Sequence, residues 1–183
     1  MNDEFLDENE ELDPELTVEF AGFWIRVGAA ILDGLIFVPL IAFEIYNKLT
    51  LHSIPLMLLG TVLMMIYKPY LEYSRGATIG KSLVGVKVVN TEFGPLTLDQ
   101  AIIRYIPWAI SAILGILINF AYYNADELAE SFMEIGLVTQ DSFWNTFNGL
   151  YSLVFLVIVI WVAFDKRKQG LHDKIAETYC IKE

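Results

Sequence analysis

The sequence predicts an all-α membrane protein, with four transmembrane helices and a small β element on the cytoplasmic side. Three observations predict it. Of 183 residues, 55% are hydrophobic and 14% aromatic, with a mean hydropathy of +0.48, which is too apolar for a soluble domain of this length. Four apolar runs, at about 21–46, 53–73, 98–122 and 145–164, each approach the roughly 20 residues needed to cross hydrocarbon. Basic residues gather in alternate connecting segments, as the positive-inside rule requires of a multi-pass chain.

The elements follow in order. Residues 1–19 carry nine acids (Asp3, Glu4, Asp7, Glu8, Glu10, Glu11, Asp13, Glu15 and Glu19) and no Lys or Arg, so this stretch is predicted to be a disordered acidic cytoplasmic tail. It reads as a solvated extension or as a docking arm for a basic partner. Its acidic start lacks the basic n-region of a signal peptide. The transmembrane domain is expected over 20–183. Span one, AGFWIRVGAAILDGLIFVPLIAFEIY, contains Arg26 and Asp33, and a charge at such depth costs at least about 2.5–3.5 kcal/mol on insertion scales. Span two has an unbroken apolar core only from Ile54 to Tyr67, before Lys68 and Pro69. Span four, around LYSLVFLVIVIWVAF, carries no charged residue. Aromatic residues crowd the span ends, at Trp24 and Tyr46, Tyr70 and Tyr73, Trp108 and Tyr122, and Trp144 and Trp161, as in interfacial belts.

Arg75, Lys81 and Lys87 lie between spans two and three, and Lys166, Arg167, Lys168, Lys174 and Lys182 follow span four. The segment between spans three and four holds Asp126, Glu127, Glu130, Glu134 and Asp141 without a Lys or Arg. These asymmetries place residues 74–97 and 165–183 in the cytoplasm and 123–144 outside, in the inner (plasma) membrane, with both termini cytoplasmic.

Val84 to Val89 is β-branched and bounded by Asn90 and Gly94–Pro95, the pattern of a strand and turn. Thr97-Leu-Asp-Gln100 has the spacing of a capping box that starts span three. Lys81–Val89 repeats in Asp173–Ile181, each a short helical turn running into a strand. Lone strands are unstable in water unless paired, so the two are expected to pair beneath the bundle and tie spans two, three and four together. The alternative is two amphipathic segments lying separately on the lipid.

No cofactor or metal site is expected. Cys180 is the single cysteine, and His52 and His172 are far apart, so neither a disulfide nor zinc-ligand spacing exists. Gly76-Ala-Thr-Ile-Gly80-Lys81-Ser82 imitates a phosphate loop, but it has three residues between its glycines where four are needed. HExxH and GxSxG are absent, so no enzyme is expected. Nor is a nucleic-acid partner.

Three segments together resemble the RDD family of membrane proteins, named for one arginine and two aspartates. They are AGFWIRVGAAILD at 21–33, GATIGKSLVGVKVV at 76–89 and QGLHDKIAET at 169–178. Arg26 and Asp33 match the family's first-helix pair, and the resemblance makes Asp173 its second aspartate. Gly76, Gly80, Lys81, Gly170 and His172 stand in the motif segments. Glu177 departs from the pattern, where the family usually has glycine. The resemblance implies a polytopic membrane protein. Some members look like cation/proton antiporters and others like partners or regulators of other membrane proteins.

Arg26 and Asp33 share a helix face but stand about 10.5 Å apart along the axis, and Arg26 leans toward the helix N-terminus, away from Asp33. Arg104, near the start of span three, is therefore the first candidate partner for Asp33. Asp99, Asp165 and Asp173 are candidates for Arg26. One reading is a protonatable carboxylate that exchanges a proton for a monovalent cation. The other is a charge network locking spans one and three, with Arg26 snorkelling to headgroups. Small residues, including Gly22, Gly28, Ala29 and Ala30 on span one and Ala109, Ser111, Ala112 and Gly115 on span three, suit close helix packing. Pro39 and Pro107 are expected to kink their spans, leaving a broken-helix ion site open. Two functions follow as expectations: ion or proton-coupled transport centred on Asp33, or a non-catalytic membrane adaptor acting through its cytoplasmic face and tail. With four helices, either a homo-oligomer or a membrane-protein partner in the bilayer is expected.

Overall fold

The computed structural model describes residues 18–125, 134, 137 and 143–183. The predicted tail, apart from Val18 and Glu19, lies outside the described residues, as does most of the acidic segment between spans three and four. The elements are α1 (Phe23–Tyr46), a π-helical turn (Asn47–Leu51), α2 (Ile54–Arg75), α3 (Ile79–Leu83), β1 (Val86–Asn90), α4 (Leu98–Tyr123), α5 (Phe143–Phe164), α6 (Leu171–Ile175) and β2 (Thr178–Lys182). Helices α1, α2, α4 and α5 are long and apolar enough to cross a membrane. Their outer faces carry exposed Leu35, Leu63, Ile113 and Leu153, an inside-out distribution suited to lipid.

Local chemistry explains the boundaries. Asn47 is fully buried, and its amide both donates to Ser53 O (2.9 Å) and accepts from Ser53 N (3.0 Å), clamping the turn between α1 and α2. Helix α2 ends where Gly76 takes φ +74°, a left-handed C-terminal stop that glycine allows without steric cost. The Thr97–Gln100 capping box forms at the start of α4, with both reciprocal bonds present. Pro39 and Pro107 lie inside α1 and α4, yet both helices run continuously past them, so no broken-helix ion site forms there.

β1 and β2 pair antiparallel, with Val86 opposite Lys182, Val88 opposite Cys180 and Asn90 opposite Thr178. The segment before α1 lines the far edge of β2: Ala21 N donates to Cys180 O (2.8 Å), and Lys182 N donates to Glu19 O (2.8 Å). Glu19, assigned to the tail by composition, thus bonds the edge of the sheet through its carbonyl. Ala21, Val86, Val88, Leu96, Ala101 and Cys180 form a small apolar core under the bundle. The expected strand at Val84 begins two residues later, because Val84 closes α3 and Gly85 turns the chain at φ +65°.

The internal repeat is more complete than its residues suggest. Residues 76–90 lie over 168–182 without a gap. Both copies begin at a positive φ (Gly76 +74°, Lys168 +53°), pass an extended residue (Thr78, Gly170), make one helical turn, reverse at a second positive φ (Gly85 +65°, Glu177 +53°) and enter a strand. Val88 and Cys180, the central pair of the sheet, occupy equivalent places and so lie on a pseudo-twofold axis. Each half of the chain is two long helices followed by one such hook. Helix α3 rests on α1 and α6 rests on α4.

The halves nevertheless meet unevenly. α2 packs along α4, whereas α5 touches α1 only sparsely. Close packing of spans one and three on their glycines does not form. A Cβ placed on Gly22, Gly28 or Gly115 would meet nothing within 4 Å. The close approach is instead Gly80 of α3 against α1, where an added Cβ would lie 2.2 Å from Ala29 O.

Candidate functional site

Five charged side chains converge where the hooks meet the bundle. Arg26, one turn into α1, donates through Nη1 to Asp173 Oδ2 (2.5 Å), through Nη2 to Lys168 O (2.5 Å) and through Nε to Ala21 O (2.9 Å). Arg104, two turns into α4 and fully buried, reaches Asp173 Oδ1 with Nη1 at 2.6 Å. Its Nη1 also donates to Thr178 Oγ1 (2.5 Å), its Nε to Glu72 Oε2 (3.1 Å) and its Nη2 to Cys180 Sγ (3.6 Å). Glu72, on the last turns of α2, accepts a further bond from Lys81 Nζ of α3 (2.5 Å). The planar fork of arginine suits such bridging, since it presents five donors in a rigid array. One aspartate and one glutamate thus join α1, α2, α3, α4 and α6.

Asp173 is held further by its own hook: Gly170 N donates to Oδ2 at 2.9 Å, and His172 Nε2 lies 3.1 Å from Oδ1. Burial alone would raise this carboxyl, but Arg104 foremost, then Arg26 and His172, hold it well below the usual carboxylate range. Burial pushes His172 the other way for a base, down to about 4 against the pull of Asp173, so its ring is neutral at physiological pH. The ring stands edge-on to Trp108, with centroids 4.8 Å apart.

Asp33 does not join this network. Its carboxylate accepts from Tyr67 Oη (2.7 Å), Thr78 Oγ1 (2.6 Å) and Gly80 N (2.7 Å). Tyr67 Oη in turn accepts from Ile79 N (3.2 Å). Asp33 therefore serves orphan donors at the start of α3 from a neighbouring helix, a capping role normally filled locally. The expected Arg104–Asp33 pairing is corrected: Arg104 is drawn instead to Asp173 and Glu72, and neutral donors satisfy Asp33. Among the candidates for Arg26, Asp173 is the partner. Asp165 bonds Lys174, and Asp99 is exposed in the first turn of α4. Arg26 is turned inward to that carboxylate, its side chain only 13% exposed, rather than snorkelling outward. Among the motif residues, Gly76 stops α2, Gly80 admits the Asp33 carboxylate, Lys81 pairs with Glu72, and Gly170 and His172 both address Asp173.

Beside the network lies a cavity of about 330 Å³, walled by Val27, Ala30 and Phe37 of α1 and by Val159 and Val162 of α5. Met64 and Tyr67 of α2 and Tyr105 and Trp108 of α4 complete the wall, so it lies among all four long helices, beside the sparse α1–α5 contact. Arg26, Asp33, Lys68, Lys81, Arg104 and His172 border it. Lys68 Nζ sits 2.9 Å over the centre of the Trp108 ring. Among the described residues no group of three or more His, Cys, Asp or Glu is placed to hold a metal ion.

Sequence reasoning missed Glu72, Lys68, Tyr67, Thr78 and Thr178. Glu72 and Lys68 were legible as an i, i+4 pair of opposite charge on one helix face, had Lys68–Pro69 not been taken as the end of the span's apolar core. Thr78 was legible as an N-cap, and its side chain accepts from Lys81 N. Tyr67 carried no signal beyond being a tyrosine within a span.

Comparison with known proteins agrees with the geometry. The RDD family model matches residues 20–177. YxaI of Bacillus subtilis (strain 168), an uncharacterised protein, is 32% identical over 119 aligned residues, which cover 51% of this chain and 79% of that protein. No solved structure matches. With its one arginine on α1 bonded to the aspartate of the second hook, and its other aspartate holding the first hook, this chain belongs to the RDD family.

Proposed function

We propose that this RDD protein is a non-catalytic membrane adaptor whose buried charges hold a rigid two-hook platform beneath the bundle. The observation that carries the reading is the commitment of those charges. Arg26, Arg104, Lys81, Glu72 and Asp173 are paired with one another, and Asp33 has both oxygens engaged by hook donors. A network so extensively ion-paired contributes specificity and rigidity rather than an exchangeable site. The platform faces the cytoplasm of the inner membrane in this reading, together with the acidic tail, and binds another membrane protein or a second copy. Gentle extraction should recover a specific companion that is lost on deleting residues 1–19 or on disturbing 170–183. Recovery of this chain by itself would count against the adaptor.

A second reading, exchange of a monovalent cation for a proton at Asp33, is favoured by one observation: Asp33 borders the cavity beside the α1–α5 seam. Intramembrane acids facing such a space often line ion paths. Purified protein in liposomes should then move protons in response to sodium or potassium, and Asp33→Asn should abolish this while the fold survives. Absence of flux at every pH tested would remove this reading.

A further inference from the structure

Lys68 is the cation of the network that makes no direct ion pair among the described residues, although Glu72, one turn on, and Asp173 act on it through space. Four cations (Arg26, Lys68, Lys81 and Arg104) face three carboxylates (Asp33, Glu72 and Asp173) around the cavity. Arg26, Lys81 and Arg104 each hold a carboxylate, whereas the described contact of Lys68 is the face of Trp108. An ammonium has three donors and accepts none. A ring face answers one side of it, and the cavity that Lys68 borders is shared with three further cations, Arg26, Lys81 and Arg104, against one carboxylate, Asp33. Burying a cation without an acceptor is costly, so such a group calls for an anion.

The setting describes that anion. Exposed Tyr70 and Tyr73, which mark the interface on the sheet side, stand about one turn beyond Lys68. An anion drawn in from the headgroup layer therefore has about 5 Å to travel. The deeper wall, Phe37, Met64 and Val159, offers nothing to a free ion but suits a hydrocarbon chain. A volume of about 330 Å³ lies at the small end of ligand pockets. It holds a headgroup and the start of a chain, the remainder lying in the bilayer along the loose seam between α1 and α5.

We infer that the α1–α5 seam binds one anionic phospholipid, with its phosphate on Lys68 Nζ and one acyl chain against Phe37, Met64 and Val159. It rests on the adaptor reading, since a lipid seated here would fill the space that Asp33 borders and that an ion path would need. The test is native mass spectrometry of the full chain extracted in mild detergent, with phosphatidylglycerol, diacylglycerol of the same chains, or inorganic phosphate added. A single phosphatidylglycerol should stay bound at activation energies that strip bulk lipid. Diacylglycerol should not, and millimolar inorganic phosphate should not displace the lipid. Lys68→Gln should weaken retention about tenfold, as expected for loss of one charge-assisted bond, while Lys68→Arg preserves it. Ala30→Leu, at a position exposed to the cavity, should block binding with Lys68 intact. Equal retention of diacylglycerol, displacement by phosphate, or unchanged lipid in Ala30→Leu would each overturn the inference. The last three comparisons decide the matter even if Lys68→Gln fails to fold.

Discussion

Arg26 and Asp173, separated by 147 positions in the chain, meet at 2.5 Å where the first long helix passes the second hook. Arg104 approaches the other oxygen of the same carboxylate at 2.6 Å. One aspartate thus neutralises two buried guanidinium groups carried by different helices, and its removal leaves both without it.

Asp173→Asn should accordingly cost about 3–5 kcal/mol, the usual penalty for stranding a buried charge. Asp165→Asn, which breaks a pair with the half-exposed Lys174, should cost less than about 1 kcal/mol. Thermal unfolding of the two variants in the same detergent checks the contrast.

Asp33 separates geometry from charge. Asp33→Asn keeps a carbonyl for Tyr67 and Gly80 and turns an amide toward the Thr78 hydroxyl, so about 1 kcal/mol is expected to be lost. Asp33→Leu strands all three donors and should cost about 3 kcal/mol or more. The same melting experiment reads both, and limited trypsin cleavage at Arg75 or Lys81 reports whether hook one has come loose.

Backbone geometry makes an opposite pair of predictions. Glu177 sits at φ +53° in the place where Gly85 takes +65° in the other hook, so Glu177→Gly relieves left-handed strain of roughly 1 kcal/mol. After the added flexibility of the unfolded chain, the melting temperature should still rise slightly. Gly80→Ala should do the reverse and prevent hook one from docking, because the new methyl would lie 2.2 Å from Ala29 O.

His172 sets an acid limit. Its folded pKa, about 4, lies below the ordinary 6.5, so the unfolded chain binds the extra proton over that interval. The stability held in the neutral ring is complete above about pH 6.5 and is lost as pH falls toward 4, by about 3 kcal/mol at most. Asp173, held low by Arg104 and Arg26, adds loss of the same sign at still lower pH. His172→Gln should flatten the upper part of the melting-temperature curve between pH 6.5 and 4 and leave the lower part in place.

The long helices were legible because twenty apolar residues in water have few alternatives, and the sheet was legible because two β-branched runs share one pattern. Asp173 was reachable as a partner of Arg26 because opposite charges at matching depth are easily sought. Asp33 was misassigned for the same reason. Charge logic looks for a cation, whereas the groups that satisfy it are a tyrosine hydroxyl, a threonine hydroxyl and a main-chain amide. Only the docking of α3 brings the last two there, and an amide leaves no mark in a sequence. The looseness of the α1–α5 seam was equally hidden, since an apolar run does not show how closely it will pack against another.

The central position of Val88 opposite Cys180 orders events during synthesis. β1 is made before α4 and α5 exist, and its partner strand is made only after both. Until then the nascent first half keeps an unpaired strand at the membrane surface, with Arg26 lacking its carboxylate and Asp33 already able to capture hook one. Closure of the sheet is therefore a late step, and agents that delay release of the downstream half from the ribosome should prolong exposure of that strand to chaperones and proteases.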